Sequence, residues 1–392
     1  MTEQATGTDM QDWELVVEQD ETATRAALLD DKGRLQGIEI DRADMPHGYG
    51  AVLVGRVVGE GPAGLGVLVE IGKDTRVFLP EGDFIPRGER PVMGTLIPIS
   101  LRADAGSGKR FTATMDIVLE GNGLIHVPTD KRIAASRRMS NKQLVTALKE
   151  ALGKIGGGWV IRGRAEGRKV LDLIEEAQQL ATQWADLQDR IAAAKAPSLI
   201  RPGPDPVERI LGGLDAKPGR AMIRANADLT ARIGGQLGEG CLIDHVGSGD
   251  SPFDLRDLDQ QIEGLLCPFV HLPSGGDIMI EETSALIAID VNSGANSNGV
   301  EVNIEAATEV ARQLRLRNLG GIVMVDFLKT RNRKRINVAI DALRDGVSTD
   351  PCPVYLHGMT SLGLMEMTRA RRGWRLADLV DVSAPDHAAG KS

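Results

Sequence analysis

Two short apolar runs, Ala285–Ile289 and Ile322–Val325, are each followed directly by an aspartate, Asp290 and Asp326. This repeated pattern constrains the chain more than any other feature. Ile278–Ile280 and Ala285–Ile289 read as paired strands about a turn at Glu281–Thr283, with the second strand ending in Asp290. Between the two apolar runs, Ile304, Ala307, Val310, Ala311 and Leu314 recur at helical spacing, which predicts a helix over about residues 302–317. Asn318-Leu319-Gly320-Gly321 stops it. A strand–helix–strand crossover makes its strands parallel, so both carboxylates leave at the same sheet edge. Neighbouring strands lie ~4.8 Å apart, within reach of one cation. Two hard oxygen donors suit Mg²⁺, or Mn²⁺, which keep waters and take phosphate oxygens as further ligands. Asn292, two residues after Asp290, falls on the same side of its strand. The plainer alternative is that each aspartate caps a strand or turn. Two at equivalent places, with the basic cluster containing Arg331 and Arg333 just after the second, favour a metal–phosphate site.

The rest of the chain reads as several small units. Glu14–Val17, Thr24–Leu29 and Arg34–Ile40 predict an antiparallel opening with turn chemistry at Asp30–Gly33. Residues 48–116 carry five short β-rich segments punctuated by Gly, Pro and Asp, as expected of a small Greek-key barrel of the oligonucleotide-binding (OB) type, a pattern that SH3-like barrels share. Such a barrel offers Phe78 on one face and Lys109 and Arg110 at an edge; Phe78 as a core residue is the competing reading. After the pair Arg137-Arg138, a helix is expected from about Asn141 to Leu152, then a strand at Trp159–Arg162 and a long helix from about Lys169 to Lys195. Pro197, Pro202, Pro204 and Pro206 mark a loop.

The net charge of −9 argues against a generic nucleic-acid binder, yet the basic residues cluster: Lys131-Arg132, Arg137-Arg138, Arg162 to Lys169, Arg331 to Arg335 and Arg369 to Arg372. Aromatic residues are 3% of the chain, so stacking on many rings is not available. Three widely spaced cysteines without a CxxC pair indicate neither a disulfide framework nor structural zinc. No apolar run approaches the ~20 residues needed to cross a bilayer. The opening residues lack the basic-then-apolar order of a secretory signal. A reduced, cytoplasmic protein with no membrane association is expected.

Several stretches resemble the ribonuclease E/G family. They are His271-Leu272-Pro273-Ser274-Gly275-Gly276, Ala285 to Ser293, Asn303 to Ala307, the long run from Ala311 to Phe327, and Gly363 to Arg369. The similarity extends more weakly over nearly the whole chain. It implies a multidomain α+β and α/β fold. A ribonuclease H-like scaffold would comprise residues 12–47 and 206–268, with an OB-fold RNA-binding barrel at 48–116 and a 5′-sensor-like region at 117–205 inserted in it. A DNase I-like catalytic subdomain at 269–386 would follow. The implied activity is endonucleolytic cleavage of single-stranded RNA to 5′-phosphate and 3′-hydroxyl ends in RNA processing or turnover. By the resemblance Asp290 and Asp326 hold Mg²⁺ and Asn292 completes the catalytic set. Phe78, Lys109, Arg110, Arg137, Arg138, Arg331 and Arg333 are the expected RNA contacts, and Arg162 matches the arginine that grips a 5′-monophosphate.

The chain departs from the family pattern at several points. Gly163 replaces a threonine beside the sensor arginine, Leu68 replaces a barrel aromatic, residues 293–303 are shortened, and Lys329 stands where an acidic residue is common. The absence of the zinc-linking CxxC leads us to expect no zinc-linked tetramer, with a homodimer left open. Two alternatives stand beside the nuclease: an RNA-binding member that cleaves weakly or not at all, and a metal-dependent DNA nuclease or phosphodiesterase.

Overall fold

The computed structural model describes residues 12–45, 48–72, 75–103, 112–136, 139–214, 216–247, 249–330, 333–370 and 372–380. It is a mixed α+β structure in two compact units. One comprises the described residues of 1–46 and 205–392, the other those of 47–204.

Alternation of apolar and polar residues closes the barrel of the 47–204 unit. Strands Val52–Glu60, Gly66–Gly72, Thr75–Pro80, Leu96–Ala103 and Thr112–Thr114 follow the expected segments, and Val52–Arg56 pairs antiparallel with Leu96–Ser100 to complete the ring. Inward residues such as Val67, Val69, Val77, Leu79 and Ile99 form its core. The proline-rich stretch is not all loop: Ser198–Arg201, between Pro197 and Pro202, forms a strand antiparallel to Val52–Val54. Proline is tolerated at strand ends and edges, so the two prolines bracket this short strand and do not abolish it.

The remainder of that unit sets helices Lys142–Ile155 and Val170–Ala193 against a four-stranded sheet. Leu144, Leu148 and Leu152 from the first helix, and Leu173, Ala177, Leu180 and Leu187 from the second, are buried around Trp159. The His126 ring stacks on Trp159 with centroids 4.2 Å apart. Burial there lowers the His126 pKa below its ordinary value.

The other unit contains two sheets. Antiparallel strands Glu14–Gln19, Ala23–Leu29 and Leu35–Arg42 continue, through Glu14–Gln19, into parallel pairing with Arg220–Arg224 and then Leu242–His245. The second sheet has six strands in the order Phe269–His271, Asp277–Glu282, Ile287–Asn292, Gly321–Asp326, Met365–Arg369, Val354–Met359. Helices Gly299–Leu316 and Arg333–Ser348 cover one of its faces. They approach closely: a β-carbon at Gly346 would lie 2.8 Å from Ala311 Cβ, so glycine permits the contact.

The helix Gly299–Leu316 joins the two sheets. Val302, Ala306, Val310 and Leu314 enter the core of the six-stranded sheet, while Leu316 enters that of the N-terminal strands. Polar bonds reinforce the join, with Arg34 paired to Glu309 at 2.6 Å and Arg312 Nε donating to Leu35 O at 2.8 Å. The Arg369 side chain, 2% exposed, pairs with that of Asp350, 1% exposed, at 2.8 Å. It also donates to Leu319 O and to Asn318 Oδ1, where the chain takes a left-handed turn (φ 50°) into Gly321–Asp326.

Candidate active site

The helix joins strands Ile287–Asn292 and Gly321–Asp326, which pair in parallel as the crossover requires. Asp290 is the cross-strand partner of Asp326. Ile287, Ile289 and Val291 point into the core, as do Val323 and Val325, so the period-2 alternation places Asp290, Asn292 and Asp326 on the opposite, solvent-exposed side. The first strand does not end at Asp290; it runs on through Val291 and Asn292 because the ladder with Asp277–Glu282 extends to Asp277↔Asn292. The helix starts at Gly299, three residues earlier than its apolar spacing indicated.

Neither the Asp290 nor the Asp326 side chain has a hydrogen-bond or ion-pair partner among the described residues. Two unpaired carboxylates on adjacent strands repel each other, and a shared divalent cation would offset that repulsion. Among the described residues no group of three or more His, Cys, Asp or Glu side chains is placed to hold a metal. Two carboxylates on an open face would suit an ion that keeps water and phosphate as its other ligands.

The backbone around this edge is tightly packed. Gly276 lies against the Asn292 carbonyl, where a β-carbon would come within 2.7 Å. A β-carbon at Gly294 would overlap Gly275 O, and Gly294 has φ 54°. Two residues in this neighbourhood escaped the sequence reading. Asp277 accepts a hydrogen bond from Asn292 Nδ2 at 3.2 Å. Asn303, fully buried in the helix, bonds the backbone of Leu328, two residues beyond Asp326. A buried asparagine in an otherwise apolar helical stripe was the available signal for the second; Asp277 gave none, since its role depends on strand register.

Of the expected RNA contacts, Phe78 is half-buried and outside the barrel core, with Leu68 as its cross-strand partner. Its ring lies against Gly61 and Gly66, where any β-carbon would collide with it. Arg162 is engaged within the chain: Nη1 donates to Gly121 O at 2.9 Å and lies 3.6 Å from Glu120. Lys109, Arg110, Arg137, Arg138 and Arg331 lie outside the described residues, as does the side chain of Arg333. Lys329 and Arg335 are exposed. The run Arg369 to Arg372 is not a uniformly basic surface, because Arg369 is spent on Asp350 inside the fold. Arg168 is likewise paired with Glu176 at 2.6 Å.

The family model for the ribonuclease E/G family matches residues 118–372, about two-thirds of the chain and all of the six-stranded sheet. The chain belongs to the ribonuclease E/G family. Among its relatives in that family, ribonuclease G of Escherichia coli is 29% identical over 392 residues, covering 91% of this chain and 80% of its own length. Ribonuclease G of Salmonella typhimurium is 28% identical with the same coverage. Ribonuclease E of a Nostoc species is 31% identical over 314 residues, 75% of this chain. The present chain spans less than half, 45%, of that ribonuclease E.

Proposed function

We propose that this chain is an endoribonuclease that cuts single-stranded RNA at the Asp290–Asp326 edge, leaving 5′-phosphate and 3′-hydroxyl ends, in RNA processing or turnover. The observation that carries the reading is the in-register pairing of two exposed, unpartnered aspartates in the part of the chain matched by the family model. Asp290 and Asp326 would hold one Mg²⁺ (or Mn²⁺), which supplies Lewis-acid activation of water and charge neutralisation on the phosphoryl oxygens. Asn292, on the same face, would orient the reacting groups by hydrogen bonding.

Phe78 would stack a base on the outer barrel face, with Lys109 and Arg110 contributing charge nearby in sequence, and Arg137, Arg138, Arg331 and Arg333 adding phosphate contacts. For Arg162 to grip a 5′-monophosphate it would have to exchange its bond to Gly121 O, and Glu120 beside it would oppose the anion. Sensing of the 5′ end is accordingly expected to be weak in this chain, more so with Gly163 in place of a hydroxyl residue. The strand order of the N-terminal sheet, three antiparallel strands followed by two parallel ones, supports a ribonuclease H-like scaffold. The six-stranded sheet with helices on one face supports the DNase I-like description. No described helix is long and apolar enough to cross a membrane; a cytoplasmic setting is part of the proposal.

The test is to incubate the protein with RNA and DNA strands of one sequence, with Mg²⁺ or with EDTA. Metal-dependent cleavage of the RNA alone supports the reading. Binding without cleavage would point to a non-catalytic RNA-binding member, a reading favoured by the exposed Lys329 three residues after Asp326.

A further inference from the structure

Asp277 stands directly across from Asn292 on the neighbouring antiparallel strand, and the two side chains are bonded. We propose that Asp277 is a positioning residue that locks the side-chain amide of Asn292 in one of its two orientations, with the oxygen left open to water on the face that carries Asp290. The inference rests on the reading of that edge as the cleavage site.

An ionised carboxylate only accepts hydrogen bonds, whereas an asparagine amide has a donor end and an acceptor end. Beside Asp277 the amide therefore has one favourable arrangement, with Nδ2 donating to Asp277 Oδ1 at 3.2 Å. Its flipped form would set two acceptors against each other. The terminal amide torsion is otherwise broad and two-fold, so without a neighbour of fixed polarity both orientations are populated. The backbone on either side is already fixed: Gly276 packs on Asn292 O, and Gly294 fits only as glycine against Gly275. The amide flip is the freedom that remains, and Asp277 removes it. A water attacking a phosphodiester must lose a proton and is oriented best by an acceptor, which is what Asn292 Oδ1 then presents.

Asp277 does not read as a third metal ligand. It sits one strand beyond Asp290 and two beyond Asp326. Its Oδ1 is occupied by Asn292, and no three-residue metal group exists among the described residues.

The test uses the full chain with Asp277→Ala, Asp277→Asn, Asn292→Ala and the Asp277→Ala/Asn292→Ala double variant. Asp277→Ala should lower kcat by roughly 5–10-fold, the worth of one ordinary hydrogen bond, with KM unchanged. Asp277→Asn, whose amide can present either a donor or an acceptor and so has no fixed polarity, should recover little of that loss. The double variant should be no slower than Asn292→Ala alone, because Asp277 acts through Asn292. Without metal or RNA, the ¹⁵N side-chain amide signal of Asn292, assigned by its loss in Asn292→Ala, should move in Asp277→Ala and stay displaced in Asp277→Asn. Mn²⁺ affinity should be the same in Asp277→Ala and wild type. Full activity of Asp277→Ala, additive losses in the double variant, or an amide signal that ignores Asp277 would each overturn the proposal. A fall in Mn²⁺ affinity matching that of Asp290→Asn would make Asp277 a ligand instead. If wild type cuts no RNA, the cleavage reading fails by itself, and the amide signal still decides whether Asp277 holds Asn292.

Discussion

The side-chain amide of Asn303 bonds both backbone groups of Leu328: Nδ2 donates to Leu328 O at 2.9 Å and Oδ1 accepts from Leu328 N at 2.9 Å. Asn303 is wholly buried on the crossover helix, and Leu328 follows Asp326 by two residues. The helix thus holds the segment that leaves the site. Replacing Asn303 by Ala strips partners from two backbone groups and should cost about 2–4 kcal/mol, measured by denaturant unfolding. RNA cleavage should fall as well, because the chain beyond Asp326 is released. A variant with unchanged unfolding midpoint and activity would show that the clamp contributes nothing.

The Arg369–Asp350 pair should be among the most sensitive points of the same unit. Both side chains are almost fully buried, and Arg369 also ties down the turn at Asn318 and Leu319. Arg369→Met leaves the Asp350 carboxylate buried without its partner and should destabilise the fold by about 3–5 kcal/mol. Calorimetry on Arg369→Met and on Arg369→Met/Asp350→Leu should show the double variant regaining part of the loss, since it removes the orphaned charge. If the double variant is worse than the single one by a further full increment, the loss reflects packing and not the buried charge.

His126 should make stability depend on pH. Burial lowers its pKa in the folded state, so the neutral form is retained on the Trp159 face while the unfolded chain still titrates near 6.5. Above about pH 6.5 neither state is protonated and the packing contribution is complete. As pH falls below that value the unfolded state takes up the proton first, and stability is lost until the lowered folded pKa is reached. Thermal melts between pH 7.5 and 5 should therefore drop more steeply for wild type than for His126→Phe. Parallel slopes would assign the acid sensitivity to other groups.

Much of this architecture was legible in the sequence because it rests on short-range patterns. The helix between the two apolar runs announced itself by its spacing, and the crossover rule then made the strands parallel and brought Asp290 beside Asp326. Alternation likewise gave the five barrel strands. What the sequence did not disclose depends on partners distant in the chain. Ser198–Arg201 is a strand only because Val52–Val54 offers it an edge. Arg369 looked like part of a basic run until Asp350 was seen to bury it. The Asp277–Asn292 contact follows from a register between strands that no local signal specifies.

Phe78 should contribute to RNA affinity more than to stability, because it lies outside the barrel core and is only half-buried. In an Asp290→Asn background, which prevents turnover, Phe78→Ala should weaken binding of a short single-stranded RNA by roughly 5–150-fold, the range expected for one base stack. Phe78→Tyr should bind nearly as wild type. Equal affinity of the Ala and Phe proteins would remove this ring from the interface.

The central claim is that Asp290 and Asp326 act together on one metal-dependent cleavage. The most direct measurement is the cleavage rate of a single-stranded, A/U-rich, 5′-monophosphorylated RNA by wild type, Asp290→Asn and Asp326→Asn across a Mg²⁺ titration, with RNA affinity measured in parallel. If the two carboxylates share that role, wild type cuts in a Mg²⁺-dependent way, either variant loses at least 100-fold, a deficit consistent with losing charge stabilisation at the reacting phosphate, and both retain RNA binding. Cleavage that persists in either variant, or that proceeds in EDTA, would contradict the shared role.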